Sequence, residues 1–173
     1  MTALTILTFV HVLISLAGIC SGLVVLFGLL AGKPLERWTT VFLATTVATS
    51  LTGFLFPVHR FMPSHAVGIV SLVVLAVAIY ARYARQLAGG WRKTYVIGAV
   101  VSLYLNVFVA VVQAFAKVPA LKALAPTQSE PPFKFTQLIV LALFVILAIL
   151  AAIRFRDDLV PTPSTRLESS VVA

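Results

Sequence analysis

The sequence predicts an all-α integral membrane protein built as one bundle of five transmembrane helices. Apolar residue types make up 61% of the 173 residues, and charged types make up only 10%. Soluble domains are usually about 45–50% apolar and about 25% charged. The apolar residues form five long runs, each close to the length of about 20 residues that a helix needs to cross a bilayer. This composition excludes a soluble globule, a disordered chain and a disulfide-stapled secreted module.

Helix-breaking and charged residues separate the five runs. Pro34 ends the first run, prolines at 57 and 63 bracket the second break, and a glycine pair at 89–90 marks the third. The longest break, residues 117–134, holds four prolines. We therefore expect transmembrane helices at about 4–30, 38–56, 65–83, 94–116 and 135–153. They form one domain of residues 1–156, followed by a disordered cytoplasmic tail of residues 157–173.

The distribution of Lys and Arg predicts the orientation. Five crossings place the first and third connections and the carboxyl terminus on one side, with nine of the 13 basic residues. Because basic residues are retained on the cytoplasmic side, we expect the amino terminus outside and the carboxyl terminus in the cytoplasm. The formal charge of +8 then reflects orientation and contact with the anionic lipid of the bilayer. It does not indicate nucleic-acid binding, since no stretch is long enough to fold as a basic soluble domain.

Two features predict how the helices pack. Gly18 and Gly22 lie four residues apart on the first helix, and small residues let helix backbones approach closely in a membrane. The second helix is rich in hydroxyl groups, including those of Thr45 and Thr49, which can bond the preceding turn or a neighbouring helix. We interpret both features as helix contacts. The alternative for the threonines is the polar wall of a pocket.

The three histidines fall on the predicted outer side and are the candidate cofactor ligands. With a rise of about 1.5 Å per residue, His11 and His65 come out at similar depths in the outer leaflet, and His59 lies near its boundary. Neutral imidazole is a common haem ligand and also binds other metals. The pair His11 and His65 is therefore the candidate for binding haem b or another metal, with His59 as the substitute. The alternatives are a structural role and contact with a quinone or small ligand.

Further polar residues share this outer level and are candidates for lining a pocket. They are Asn106, Gln113, Gln137 and Glu130. Because an amide that faces lipid is costly, the stripe of the fourth helix that carries Asn106 and Gln113 should point inward. That stripe consists of Ala99, Ser102, Asn106, Val109 and Gln113.

The connection 117–134 is the candidate partner-binding segment on the outer side. Its four prolines restrict the backbone, and its apolar residues predict a short helix on the membrane interface. Such a loop can cap the histidines or bind a membrane protein partner, and the alternative is a simple connector. Glu130 is the only acid on the outer side, so we expect it to pair with Arg60 or a histidine.

Three stretches resemble a group of small, uncharacterised multi-pass membrane proteins of bacteria. They are PSHAVGIVSL at 63–72, LYLNVF at 103–108 with QAF at 113–115, and APTQSEPPF at 125–133. The resemblance covers roughly residues 40–150. It implies a protein of the bacterial inner membrane and implies no reaction.

The sequence carries no evident catalytic motif. No acid lies inside a predicted helix, which disfavours an ion-coupled carrier, a serine hydrolase and a two-carboxylate mechanism. We therefore expect a small non-enzymatic membrane protein that is an accessory or assembly subunit of a larger complex. The first alternative is a redox protein that holds haem b or a metal through the outer histidines. The second is a permease-like protein that binds a quinone or small molecule.

Overall fold

The computed structural model describes residues 2–56 and 63–155, and every regular element within these ranges is helical. The helices are α1 (Ala3–Leu30), α2 (Glu36–Gly53), α3 (Pro63–Ile79), α4 (Gly90–Lys117), α5 (Pro119–Leu124) and α6 (Pro131–Arg154). A π-helical turn, Tyr80–Ala84, continues α3. The predicted tail of residues 157–173 lies outside the described residues.

Four helical segments are long and apolar enough to cross a membrane. They are Ala3–Leu30, His65–Ala84, Gly90–Lys117 and Pro131–Arg154. The prediction of a multi-pass helical membrane protein is thereby confirmed. The fifth long helix, α2, has 18 residues, and seven of them carry hydroxyl groups, which makes α2 the least apolar of the five.

Several prolines begin helices instead of separating them. Pro63 is the first residue of α3, Pro119 of α5 and Pro131 of α6. A proline fits the first helical turn because its φ is already helical and the N–H group that it lacks has no partner there. α6 therefore begins at Pro131, earlier than the predicted 135. α4 also begins earlier than the predicted 94, because Gly89 makes the preceding turn with a φ of +53°.

The five long helices alternate in direction and give the bundle two distinct ends. α4 packs against α1, α3 and α6, while α2 packs against α1 and α3. One end contains residues 2–12, 49–56, 65–69 and 112–137, and we call it the histidine end. The opposite end contains residues 28–40, 79–95 and 151–155, and we call it the arginine end.

The apolar core lies between α1, α2, α3 and α4. Its fully buried side chains include those of Phe42, Leu75 and Leu103. α6 contributes only two buried residues, Phe144 and Ala151, from its 24 positions. α6 is therefore the peripheral helix of the described bundle and leans mainly on α4.

Candidate functional site

His11 is tied to the last turn of α2 at the histidine end. Its Nδ1 atom lies 2.8 Å from the hydroxyl oxygen of Thr52. Its ring packs edge-on against Phe56, with centroids 5.2 Å apart and planes at 84°. Gly53 also packs against the ring, since a Cβ atom added there would lie 3.8 Å from His11 Cε1. The imidazole thus has a fixed position and orientation between α1 and α2.

The hydrogen bonds of Thr52 assign the tautomer of His11. The Thr52 hydroxyl donates to the carbonyl oxygen of Ala48 at 2.7 Å. A hydroxyl has one proton to donate, so when that proton goes to Ala48 the Thr52 oxygen accepts the Nδ1–H of His11. In the neutral ring, the Nε2 atom then carries the free lone pair. Nε2 is therefore the atom that would coordinate a metal. In this arrangement Thr52 orients the ring, as an outer partner does around metal-binding histidines.

His65 occupies a different position at the same end. It is half-buried, and its ring lies 5.7 Å from that of Phe54. Phe54 also covers Gly68, one turn further along α3, at 3.1 Å from where a Cβ atom would be. His11 and His65 are therefore held by different aromatic side chains of the α2 end. His59, the third candidate ligand, lies outside the described residues.

The histidine end offers few additional ligands to a metal. Within residues 2–56 and 63–155, no group of three or more His, Cys, Asp or Glu residues could hold a metal ion. Two surface depressions are apolar, one on α1 around Phe9 and the other between α4 and α6 around Phe144, and neither is lined by a histidine.

Asn106 lies at the centre of the bundle and faces α2. Its Nδ2 atom donates to the Thr46 hydroxyl at 3.2 Å. Gly18 of α1 packs against both residues, because a Cβ atom there would lie 3.4 Å from Asn106 Nδ2 and 3.5 Å from Thr46 Oγ1. The amide nitrogen therefore donates within the contact between α1, α2 and α4 and does not point into an open pocket.

The two glutamines among the pocket candidates differ in burial. Gln137 donates from Nε2 to the carbonyl oxygen of Phe108 at 3.2 Å, and its Oε1 atom is buried with no hydrogen-bond partner among the described residues. Gln113 is exposed, so the expectation that its stripe points inward is wrong at this position. The physical reason is that Phe115 packs on Phe133 of α6, with ring centroids 5.3 Å apart. That contact turns Gln113 away from the packed side of α4.

Glu130 folds the connection between α4 and α6 onto itself. Its carboxylate accepts hydrogen bonds from the Thr127 N–H at 3.2 Å, the Thr127 hydroxyl at 2.8 Å and the Ser129 N–H at 3.0 Å. Desolvation acts to raise the pKa of Glu130, but these hydrogen bonds outweigh it and hold the pKa below its usual value. The carboxylate is thus bound within the loop. The alternative partner Arg60 lies outside the described residues.

The small and hydroxyl residues singled out on α1 and α2 lie against neighbouring helices or their own backbone. A Cβ atom at Gly22 would lie 2.6 Å from Leu103 Cδ1 and 2.8 Å from Phe42 Cε2. The Thr45 hydroxyl donates to the carbonyl oxygen of Val41 at 2.7 Å. The Thr49 hydroxyl is buried and has no hydrogen-bond partner among the described residues.

A buried arginine at the arginine end is the main site residue that the sequence analysis missed. Arg82 has a side chain that is only 5% exposed, and it donates to the Glu36 carboxylate at 2.5 Å. Its guanidinium lies over the rings of Tyr95, at 5.1 Å, and Tyr83, at 5.7 Å. Tyr95 in turn donates its hydroxyl proton to Thr39 at 3.4 Å. The group joins α2, the end of α3 and α4.

The π-helical turn directs Arg82 into the bundle. The Arg85 N–H donates to the carbonyl oxygen of Tyr80 at 3.0 Å, which closes a turn of five residues. This wide turn buries the successive residues Ala81 and Arg82 and leaves Tyr83 exposed. π-helical turns are rare and are frequently found at functional sites.

One sequence signal could have found this pair. Arg82 lies inside the third apolar run, where a charge needs a partner. Glu36 is the only acid that precedes Glu130 in the chain, and it is therefore the only carboxylate in that part of the sequence. The sequence analysis instead counted Arg82 among the basic residues of the third connection. The π-helical turn has no sequence signal of this kind.

Comparisons with protein-family models, with curated proteins and with solved structures found no match for this chain. The function is therefore argued from the chain's own residues and contacts.

Proposed function

We propose that the protein crosses a bacterial inner membrane five times, with the histidine end outside and the arginine end at the cytoplasm. The use of α2 hydroxyls inside the bundle supports α2 as the fifth crossing, since Thr46 bonds Asn106 and Ser50 bonds Ser71 at 3.2 Å. The basic residues support the orientation. Those described at the arginine end are Lys33, Arg37, Arg82, Arg85, Arg92, Lys93 and Arg154, and those at the histidine end are Lys117, Lys122 and Lys134.

Single-cysteine labelling of intact cells tests this topology. Cys20 is the only native cysteine, so Cys20→Ser gives a clean background. Ser129→Cys should react with a membrane-impermeant maleimide, whereas Ala31→Cys, in the connection between α1 and α2, should react only after the membrane is opened. Equal labelling of the two positions in intact cells would contradict five crossings.

Within this topology, we propose that the protein is a non-enzymatic accessory subunit that binds a membrane protein partner through the connection 117–134. The observation that supports it most is that this connection has a fixed fold. Ala125 is fully buried, and Gln128 donates from its side chain to the carbonyl oxygen of Val112 at 2.9 Å. A surface ordered before binding loses less conformational entropy when the partner arrives.

The charge of this connection specifies the chemistry of the partner. Lys117, Lys122 and Lys134 are exposed, while the carboxylate of Glu130 is already engaged by Thr127 and Ser129. The surface available to a partner is therefore basic. A partner with an acidic surface outside the membrane complements it.

Native gel electrophoresis of mildly solubilised membranes tests the accessory role. We expect the chain to migrate in a complex larger than itself, and we expect the triple charge reversal Lys117→Glu, Lys122→Glu and Lys134→Glu to release it. The matched control replaces the same three lysines with arginine, keeps the charge and should preserve the complex. Migration at the size of the free chain for the unaltered protein would contradict the proposal.

A second candidate function is haem b or metal binding for electron transfer, and one observation favours it. The hydrogen bond of His11 Nδ1 to Thr52 presents Nε2 as the coordinating atom. A reduced-minus-oxidised visible spectrum of the purified protein tests it. Haem bands near one equivalent per chain that disappear in His11→Ala and His65→Ala would establish this function. A colourless, metal-free protein from haem-replete cells would exclude it.

A further inference from the structure

We infer that the junction between α3 and α4, residues 80–94, binds the headgroup of an anionic phospholipid. This junction belongs to the arginine end and connects the π-helical turn to the first turn of α4. It contains four basic residues and no acidic residue. The inference does not depend on the accessory role, because it concerns the isolated chain and its lipid.

Two of the four cations are presented on the surface. Arg85 and Lys93 are exposed. The other two make contacts inside the bundle, since Arg82 binds Glu36 and Arg92 donates to the carbonyl oxygen of Phe155. Arg85 and Lys93 therefore carry the surface charge of the junction.

Aromatic rings hold this charge at the level of the membrane interface. The Arg85 guanidinium lies 5.4 Å from the centre of the Trp91 ring, and Trp91 packs on Tyr80 with ring centroids 5.3 Å apart. Trp and Tyr side chains prefer the headgroup level of a bilayer. A guanidinium stacked on such a ring is placed where lipid phosphates lie, and its planar fork suits phosphate oxygens.

The backbone of the junction is also fixed. Gln86 and Leu87 have left-handed conformations, with φ of +48° and +60°. The Leu87 N–H donates to the carbonyl oxygen of Ala81 at 3.1 Å, and the Ala88 N–H donates to that of Arg85 at 2.9 Å. The cations are therefore carried on an ordered turn, which lowers the entropy cost of binding a headgroup.

Charge complementarity decides in favour of an anionic lipid. No acid occurs between Glu36 and Glu130 in the sequence, and the Glu36 carboxylate is already bound to Arg82. The acids that follow Glu130 in the sequence, Asp157, Asp158 and Glu168, lie outside the described residues. Attraction to an anionic leaflet is worth about 1 kcal/mol for each Lys or Arg near its surface.

Native mass spectrometry of the purified chain with matched lipids tests the inference. The probes are phosphatidylglycerol and phosphatidylcholine with the same acyl chains. We expect the chain to retain phosphatidylglycerol preferentially, and each cation removed in Arg85→Gln and Lys93→Gln to reduce that preference about fivefold. The matched control, Lys117→Gln with Lys122→Gln, removes two exposed cations from the histidine end and should leave most of the preference.

Three results would overturn the inference. The first is equal retention of the two lipids by the unaltered chain. The second is displacement of phosphatidylglycerol by millimolar inorganic phosphate, which would show a site for free anions. The third is a preference that appears only after Asp157→Asn and Asp158→Asn, which would show that the chain's own tail occupies the junction. These lipid measurements use the purified chain, so their outcome does not depend on whether the accessory complex exists.

Discussion

The two ends of the bundle fix their polar groups by different means. At the arginine end, a buried guanidinium is matched by a carboxylate and two aromatic rings, and it joins three elements. At the histidine end, two hydrogen bonds between uncharged groups join separate elements, that of His11 with Thr52 and that of the Gln128 amide with a backbone carbonyl oxygen. The carboxylate of Glu130, at the same end, accepts its hydrogen bonds among the described residues from groups of its own loop.

This difference teaches what each end is suited to do. A buried charge is destabilising when its partner is lost, and Arg82 is such a charge, so the arginine end is adapted to fix helix positions. Neutral hydrogen bonds between membrane helices are individually weak. We therefore expect single substitutions at the histidine end to cost less, and its ordered loop and oriented imidazole support the binding roles proposed for it.

The largest expected effect comes from breaking the charge pair. Removal of one partner of a buried pair costs about 3–5 kcal/mol. Because Glu36 is 74% exposed, we expect Glu36→Gln to lower the free energy of unfolding by about 2–3 kcal/mol. Denaturant titration in detergent measures it.

The neighbouring exposed Arg37 gives the matched control for this prediction, and Arg37→Gln should change stability little. The double variant Glu36→Gln with Arg82→Met should recover most of the loss, because it removes the stranded charge. If Glu36→Gln were as stable as Arg37→Gln, the pair of Arg82 and Glu36 would not stabilise the arginine end more than the histidine end is stabilised.

The next effect concerns the close approach of α1 to α2 and α4. Gly22→Ala places a methyl group 2.6 Å from Leu103 Cδ1 and 2.8 Å from Phe42 Cε2. Such overpacking should cost about 1–3 kcal/mol, measured by the same titration. Gly90→Ala is the control, since a Cβ atom there meets nothing within 4 Å. Equal stability of the two variants would contradict the close packing of Gly22.

A smaller effect is expected from Thr52→Val at the histidine end. The loss of one hydrogen bond between membrane helices should cost about 0.6 kcal/mol. Nitrogen NMR of His11 is the more decisive readout, because the Nδ1–H tautomer should lose its preference. Thr8→Val is the control, since the Thr8 hydroxyl donates to the carbonyl oxygen of Leu4 in its own helix and to no other helix among the described residues. An unchanged His11 spectrum in Thr52→Val would refute the assigned tautomer.

The smallest effect is a pH dependence of the loop. The lowered pKa of Glu130 means that its carboxylate stabilises the folded loop at pH values above its unfolded-state pKa. That contribution is lost as the pH falls through the lowered folded-state pKa. The amide shifts of Thr127 and Ser129 should follow this titration at acid pH and remain constant near neutrality. Glu130→Gln should abolish the titration, and its persistence in that variant would assign it to another group.

The sequence predicted the helical elements better than the contacts between them. Hydropathy and helix breakers locate the five long helices because burial in lipid requires long apolar runs. The prolines at 63, 119 and 131 were misplaced as separators, since a proline both ends one helix and begins the next. The pair Arg82 and Glu36 was missed because Arg82 was counted with the third connection, and the π-helical turn that buries its side chain departs from the regular helix that periodicity assumes.

The candidate site was predicted only at the level of single residues. Spacing placed His11 in the outer leaflet and Asn106 on an inward face. It does not give their partners Thr52 and Thr46, which depend on the register of α2. Gln113 was placed on the wrong side because the contact of Phe115 with Phe133 of α6 decides which side of α4 is packed at this level. The register of one helix against another, and the packing of the following segment on α4, depend on tertiary contacts. The residue pattern of a single helix does not predict them.

Site-specific photocrosslinking in native membranes tests the central claim, that the histidine end carries the partner-binding surface. A photoreactive residue would replace Lys122 in the connection 117–134 in one variant and Lys33 at the arginine end in another. We expect a discrete protein adduct from position 122 and none of that size from position 33. The same adduct from both positions, or an adduct from position 33 alone, would contradict the account.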